Sequence, residues 1–215
     1  MTDTDKKNDI QKILKALSVA YPQAKCALSH HDPLELLVAT ILSAQCTDQR
    51  VNIVTKELFR KYRSAKDYAR ANIETFENEI RSTGFFHNKA KNIIACAKAL
   101  LEKHGGIVPN NMDALTALPG VGRKTANVVL GAAFGIASGV VVDTHVRRLA
   151  QRMGLSKNDD PEKIEADLMK IVPEKSWIDF SHLLIWHGRN RCQARKPDCM
   201  NCEIKHFCPR IGVRE

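Results

Sequence analysis

No stretch of this sequence approaches the roughly 20 uninterrupted apolar residues that cross a membrane. The amino terminus, MTDTDKKNDI, lacks the apolar core of a secretory signal and is too acidic for a transit peptide. Cysteine is present, but its seven copies make an odd set, and Cys26, Cys46 and Cys96 are scattered among apolar or helical segments. That distribution argues against a disulfide framework. The expectation is a soluble, cytoplasmic protein of a reducing compartment. No internal repeat or low-complexity stretch is apparent, and 215 residues leave room for one large or two small domains.

Strand signals are nearly as scarce. Only Gly139 to Val142 looks β-like, and four residues are too few to build a sheet. Helix signals run along almost the whole length instead. Ile10, Ile13, Leu14 and Leu17 fall at i, i+3, i+4, i+7, an amphipathic helix that Pro22 ends. Asp32-Pro33-Leu34-Glu35 reads as an N-cap, a proline at the first helical position and a glutamate completing a capping box. The helix it opens, Leu34 to about Ser43, is almost wholly apolar and reads as a core helix. Val51, Val54, Leu58 and Phe59 mark another, and Ile93 to Leu101 a further one stopped by Gly105-Gly106. Asp160-Pro161 opens a helix through Ile171, and a last one carries Trp177, Phe180, Leu184 and Ile185. The predicted fold class is all-α.

Acidic residues are outnumbered, 24 against 33 Lys and Arg, for a formal charge of +9. An excess of this size points to a polyanionic partner, most often nucleic acid, although some basic soluble proteins carry it without one. The tail is more specific. Cys192, Cys199, Cys202 and Cys208 form a C-x6-C-x2-C-x5-C pattern punctuated by Pro197 and Pro209. Zinc and an iron–sulfur cluster both accept an all-cysteine shell. Four-cysteine zinc sites usually show two C-x-x-C knuckles, and here there is one; the wider arms suit a larger body such as a [4Fe–4S] cube.

The segment Leu115 to Leu130 reads as a helix–hairpin–helix. A short helix is expected to end at Leu118, because Pro119 disfavours helical geometry before it. Gly120 and Gly122 permit positive φ and a close backbone approach to something outside, and a second helix starts near Arg123 and runs to Gly135. Hairpin amides and the positive helix end make a phosphate site without base readout. An αα-hairpin needing glycine only for its turn has the same appearance. Lys124 falls in the first helical turn, where the helix end and neighbouring Arg123 oppose a second positive charge; an amine freed of its proton there is a usable nucleophile. Asp143 follows the apolar run and is either a catalytic carboxylate or the N-cap of the next helix.

Leu118-Pro-Gly-Val-Gly-Arg-Lys-Thr-Ala-Asn127, Val142-Asp-Thr-His145, Leu42-Ser-Ala-Gln-Cys-Thr-Asp48, His187-Gly-Arg189 and the cysteine tail carry a likeness that runs from about residue 8 to 208. With them the chain resembles bacterial-type endonuclease III, bifunctional DNA glycosylases of the helix–hairpin–helix superfamily. The resemblance implies one [4Fe–4S] cluster per chain rather than zinc, held by the four cysteines of loop 192–208. It implies two helical lobes with a DNA-facing cleft between them. One is a six-helix barrel over 26–137 with its hairpin at 118–124, and the other an iron–sulfur domain made of 1–25 and 138–215. The implied activity is removal of oxidised pyrimidines from double-stranded DNA by a monomer. Lys124 attacks C1′ as a Schiff-base nucleophile, Asp143 assists, and β-elimination nicks the strand.

The same resemblance assigns the insertion into the flipped nucleotide's gap to Gln45. It assigns the wedge across the duplex to Phe85, where an aliphatic residue is common in the family. A polar helix end and a buried turn anchor are the plain alternatives for these two. Gly120, Gly122, Arg123 and His145 are implied DNA contacts. Arg195 and Lys196, which with Arg189 and Arg191 make the cysteine loop positive, are implied phosphate contacts. Two other readings stay open: a superfamily glycosylase for mispaired adenine, whose members generally lack the lysine, and a non-catalytic iron–sulfur DNA-binding protein.

Overall fold

Eleven α-helices follow one another through residues 3–213, which the computed structural model describes. They are α1 (Asp3–Ala20), α2 (Pro33–Leu42), α3 (Asp48–Lys61), α4 (Ala65–Ala69), α5 (Ile73–Ile80), α6 (Phe86–His104), α7 (Met112–Thr116), α8 (Arg123–Phe134), α9 (Thr144–Arg152), α10 (Pro161–Ile171) and α11 (Trp177–Asn190). No strand occurs among the described residues. The β-like run Gly139 to Val142 forms no strand, and its Val141 N–H donates to Ser181 Oγ at 2.9 Å. Helices α4 and α5, absent from the apolar spacing above, are short and announced chiefly by their caps, Ser64 and Asn72.

The chain divides into two compact units, Cys26–Ile136 and Met1–Lys25 with Ala137–Glu215. Within the first, α2 is the central element. All seven of its residues from Leu36 to Leu42 are buried, which explains an apolar character on every face. It packs against α3, α6 and α8, while α4 and α5 close on α6. Tyr62, Tyr68 and Phe76 form an aromatic group there, with Tyr62 and Tyr68 stacked at 5.1 Å and Phe76 edge-on to both. In the second unit, α9 and α1 pack on α11, and α10 packs on α1 and α9. Its core includes Ile10, Ile13 and Leu17 of α1, with Val146, Leu149, Leu168, Phe180 and Leu184.

Two local expectations need correction. Asp32 does cap α2 by accepting the Glu35 N–H at 2.9 Å, but no capping box forms. Glu35 turns to His31 instead, accepting its backbone N–H at 2.7 Å and meeting its ring Nδ1 at 2.9 Å. The helix before the hairpin ends at Thr116, two residues earlier than read. The Leu118 N–H reaches only to Leu115, a tight last turn.

Candidate active site and cysteine centre

The hairpin is built by two buried apolar residues around a glycine. Leu118 and Val121 point into the core of the Cys26–Ile136 unit, and the Val121 N–H closes the turn on the Leu118 carbonyl at 3.1 Å. Gly120 between them has φ +76°, and a Cβ there would sit 2.7 Å from Asn92 Cβ on α6. Only glycine satisfies both conditions. Gly122 differs from expectation: its φ is −89°, an extended N-cap conformation open to any residue, and nothing lies within 4 Å of a Cβ built on it. The space is outside the protein. The N-cap Gly122 offers no side chain to cap α8, and the positive end of the helix suits an anion. Arg123 and Lys124 follow at once, both exposed.

Two further loops of this unit carry expected DNA contacts. Gln45 (φ 53°) and Phe85 (φ 49°) are two of the three described non-glycine residues with positive φ. Both are exposed, Phe85 at 62 %. Left-handed geometry in bulky residues is uncommon and persists only where the surroundings hold it. The turn-anchor alternative, read for the Phe85–Phe86 pair, fails for Phe85 on exposure, while Phe86 packs partly against the core and Thr83, two residues before Phe85, is buried.

In the other unit, Asp143 caps α9. Its Oδ1 accepts the N–H groups of His145 and Val146, both at 2.8 Å, and Oδ2 has no partner among the described residues. The cap and the carboxylate role are therefore compatible on one side chain. His145 is half-buried: its Nδ1 lies 3.1 Å from Arg148 Nη2, and its Cβ would be 2.9 Å from any Cβ placed on Gly188. The His187-Gly-Arg189 motif thus includes the glycine that lets α11 approach the start of α9. Burial holds the His145 imidazole below its ordinary range, with Asp143 opposing.

The four cysteines line a single cavity of about 410 Å³, counting the open solvent at its mouth, together with Leu149, Arg152 and Ile204. Among the described residues no three of their sulfurs lie within 4.8 Å of one another. Ligands of one tetrahedral zinc sit roughly 3.8 Å apart at a Zn–S bond of about 2.3 Å, so this spacing fits a larger body. Burial pushes the Cys202 thiol up to about 11 and raises Cys208 as well, so thiolates here need a cationic core beside them. Cys202, His187 and Glu203 also approach as a trio of possible ligands. Two of their atoms have partners outside the trio, His187 Nδ1 at 3.1 Å from Tyr21 Oη and Glu203 Oε1 at 3.1 Å from Arg191, while Glu203 Oε2 is buried without a hydrogen bond among the described residues. Burial lowers the His187 pKa to about 4, so the ring is neutral, with Nδ1 against Tyr21 Oη and Nε2 against the Cys202 sulfur.

Arginines of α9, overlooked in the sequence, hold this loop. Arg152 donates to Cys192 Sγ at 3.3 Å, to the Gln193 carbonyl at 2.7 Å and to the Ala194 carbonyl at 2.8 Å. Arg148 donates to the carbonyls of Gly188 and Cys192. Their spacing of one helical turn was visible, but partners about 40 residues away were not. Of the basic residues credited to the loop, Arg191 is neutralised by Asp198 at 2.6 Å and by Glu203, whereas Arg195 and Lys196 are exposed.

Residues 38–174 match the family model of HhH-GPD superfamily base excision DNA repair proteins. Endonuclease III of Synechocystis sp. is 53% identical over 204 residues, 95% of this chain and 93% of that protein. A solved non-covalent endonuclease III–DNA complex matches with a TM-score of 0.91 at 44% identity, covering 98% of this chain and 96% of its own. A trapped endonuclease III–DNA covalent intermediate matches at the same TM-score and identity, covering 98% and 97%. With its hairpin, its capped aspartate and its cysteine centre in one all-helical fold, the chain belongs to the endonuclease III family of the HhH-GPD superfamily.

Proposed function

We propose that this protein excises oxidised pyrimidines from double-stranded DNA and nicks the strand through a Schiff base on Lys124. It is a base-excision-repair DNA glycosylase with lyase activity at abasic sites. The observation that carries the residue assignment is the exposed Lys124 amine in the first turn of α8, at the positive helix end suited to a DNA phosphate. The amine attacks C1′ as the glycosidic bond breaks. Positive charge then builds on the sugar, and the Asp143 carboxylate, held by α9 through Oδ1 alone, stabilises it. The added amine gives up a proton, the sugar's C1′–O4′ bond opens with O4′ leaving as the hydroxyl, and the resulting iminium acidifies the C2′ hydrogen, whose loss as a proton expels the 3′ phosphate. Gln45 enters the gap left by the flipped nucleotide, and Phe85 wedges the stack.

For the four cysteines we assign a [4Fe–4S] cluster, supported by the common cavity, the wide sulfur spacing and the buried thiols. When bound it cross-links the loop 192–208; the chemistry at the sugar stays with Lys124 and Asp143. Exposed Arg195 and Lys196 grip phosphates from that loop, and the protein acts as a cytoplasmic monomer on the nucleoid. Among the described residues no helix is long and apolar enough to cross a membrane. Excision of mispaired adenine and a non-catalytic role are not favoured, because both the lysine and the carboxylate are in place.

Borohydride trapping tests the assignment. Duplexes bearing thymine glycol, dihydrouracil, an abasic site or an A·G mismatch are incubated with the protein and the reductant. A covalent adduct is expected on the first three, and Lys124→Gln removes it while sparing most DNA binding. Trapping of Lys124→Gln at the wild-type rate places the chemistry on another amine.

A further inference from the structure

Lys89 has no place in the sequence motifs, yet it is 4 % exposed, as buried as the core around it. Its Nζ donates to the carbonyl of Leu42 at 2.8 Å and to the carbonyl of Thr83 at 2.8 Å. No carboxylate pairs with it among the described residues, and neither carbonyl receives a backbone N–H there. An apolar side chain of similar length fills such a space without the desolvation penalty of an unpaired ammonium. The charge is retained for what it holds.

Both held carbonyls belong to roots of the insertion loops. Leu42 ends α2 three residues before Gln45, and its carbonyl lies at the negative end of that helix, which favours a cation. Thr83 stands two residues before Phe85 and is fixed from below by its own Oγ1, which donates to the Ile80 carbonyl at 2.8 Å. The Lys89 backbone N–H in turn donates to the Phe85 carbonyl at 3.1 Å. One residue therefore binds the chain on both sides of the Gly84–Phe85 bend and also the exit of α2. The Gln45 side chain has no hydrogen-bond partner of its own among the described residues. Its left-handed backbone, like that of Phe85, must be held from these roots.

We propose that Lys89 is a positioning residue that locks the Gln45 and Phe85 loops to each other, so that the two side chains enter the duplex as one rigid wedge. This rests on the reading that both residues act in base flipping. A flexible pair of loops loses binding free energy to ordering each side chain at the moment of insertion; a pre-set pair does not.

The test compares two substrates in single-turnover kinetics. A dihydrouracil in duplex DNA requires flipping, whereas an abasic site in a single strand offers no stack to open. Active enzyme is titrated by borohydride adduct on the single strand, which corrects for any unfolded fraction. Lys89→Met is expected to lose on the order of tenfold or more in rate on the duplex, as misplacement of distant supports does, with single-strand nicking within about twofold of wild type on the same scale. Lys89→Arg keeps a charge and several donors and should recover part of the loss. If Lys89→Met gives too little titratable enzyme, Lys89→Gln is read by the same ratio. An unchanged duplex-to-single-strand ratio overturns the proposal: equal losses on both substrates make the lysine purely structural, and no loss on either leaves it without a role. Failure of wild-type protein to trap on the single strand counts against Lys124 as the nucleophile, not against Lys89.

Discussion

The carboxylate of Asp143 caps α9 with one oxygen and, among the described residues, leaves the other without a hydrogen bond, so its stability role and its chemical role are separable by substitution. Asn caps a helix about as well as Asp, so Asp143→Asn should unfold within a few tenths of a kcal/mol of wild type (~0.3) by thermal melting. Base release from a dihydrouracil duplex should nevertheless slow by about 10²-fold, the usual scale for removing one stabiliser of transition-state charge. Nicking of a preformed abasic site should survive in part. Asp143→Ala removes the cap too and should cost about 1 kcal/mol. Equal loss of stability in both variants would show that charge, not capping, holds α9. A second residue sets a pH dependence. Burial holds the His182 imidazole below its ordinary 6.5, with Asp179 opposing. The unfolded chain therefore takes up the proton first, and the folded state loses stability as pH falls below 6.5 towards the lowered folded value. The melting temperature should drop between pH 7.5 and 5.5, and drop less in His182→Gln; parallel curves would refute this. None of these partners could be read from position alone. His182 looks like any polar residue of an amphipathic helix until α11 is packed.

At the scale of elements, two glycines mark where segments touch. Gly120→Ala adds a methyl 2.7 Å from Asn92 Cβ at φ +76°, so it should destabilise by about 1–3 kcal/mol and weaken DNA binding as the hairpin shifts. Gly122→Ala meets nothing within 4 Å and should leave the melting temperature nearly unchanged while reducing DNA affinity. A thermal melt and a binding titration on both variants separate the two. The sequence pairs these glycines in one motif; the structure gives them different work, one facing α6 and one facing out. The cysteine loop is the other element with a clear expectation. Cys202→Ala should lose the iron–sulfur absorbance and about four iron per chain. It should also make the loop 192–208 protease-sensitive, because the free energy of a multi-ligand centre is also folding free energy. A colourless wild-type protein containing one zinc would reverse the assignment.

For the whole molecule, charge is the quantity that acts at a distance. A net +9 predicts DNA affinity dominated by backbone phosphates. Log K should fall with log salt concentration at roughly −0.9 per neutralised phosphate. Lys196→Ala should lower affinity for damaged and undamaged duplex alike and flatten that slope by about one unit. Arg191→Ala is expected to act differently, because its guanidinium is committed to Asp198 and Glu203: it should destabilise the loop and leave the slope nearly intact. An unchanged slope in Lys196→Ala would place the phosphate grip elsewhere.

The all-helical class was legible because α-helices are local. Apolar spacing, the Asp32, Asp143 and Asp160 caps, and the stops at Gly105 and Gly135 lie within a few residues of what they control. The hairpin and the four cysteines were legible for a related reason: each is a short pattern whose spacing limits what it can hold, whereas Lys124 and Asp143, nineteen positions apart, stood out only through the family resemblance. Folding decided the rest. Glu35 left its expected capping box with Asp32, three residues back, for His31, four residues back. Gln45 and Phe85 took left-handed backbones, and Lys89 came to join Leu42 to Thr83 across 47 and 6 residues of chain. Arg152 found the Cys192 sulfur 40 residues on. A buried polar group takes whichever partner packing brings within reach, and that partner is set by the completed tertiary fold rather than by the neighbouring sequence.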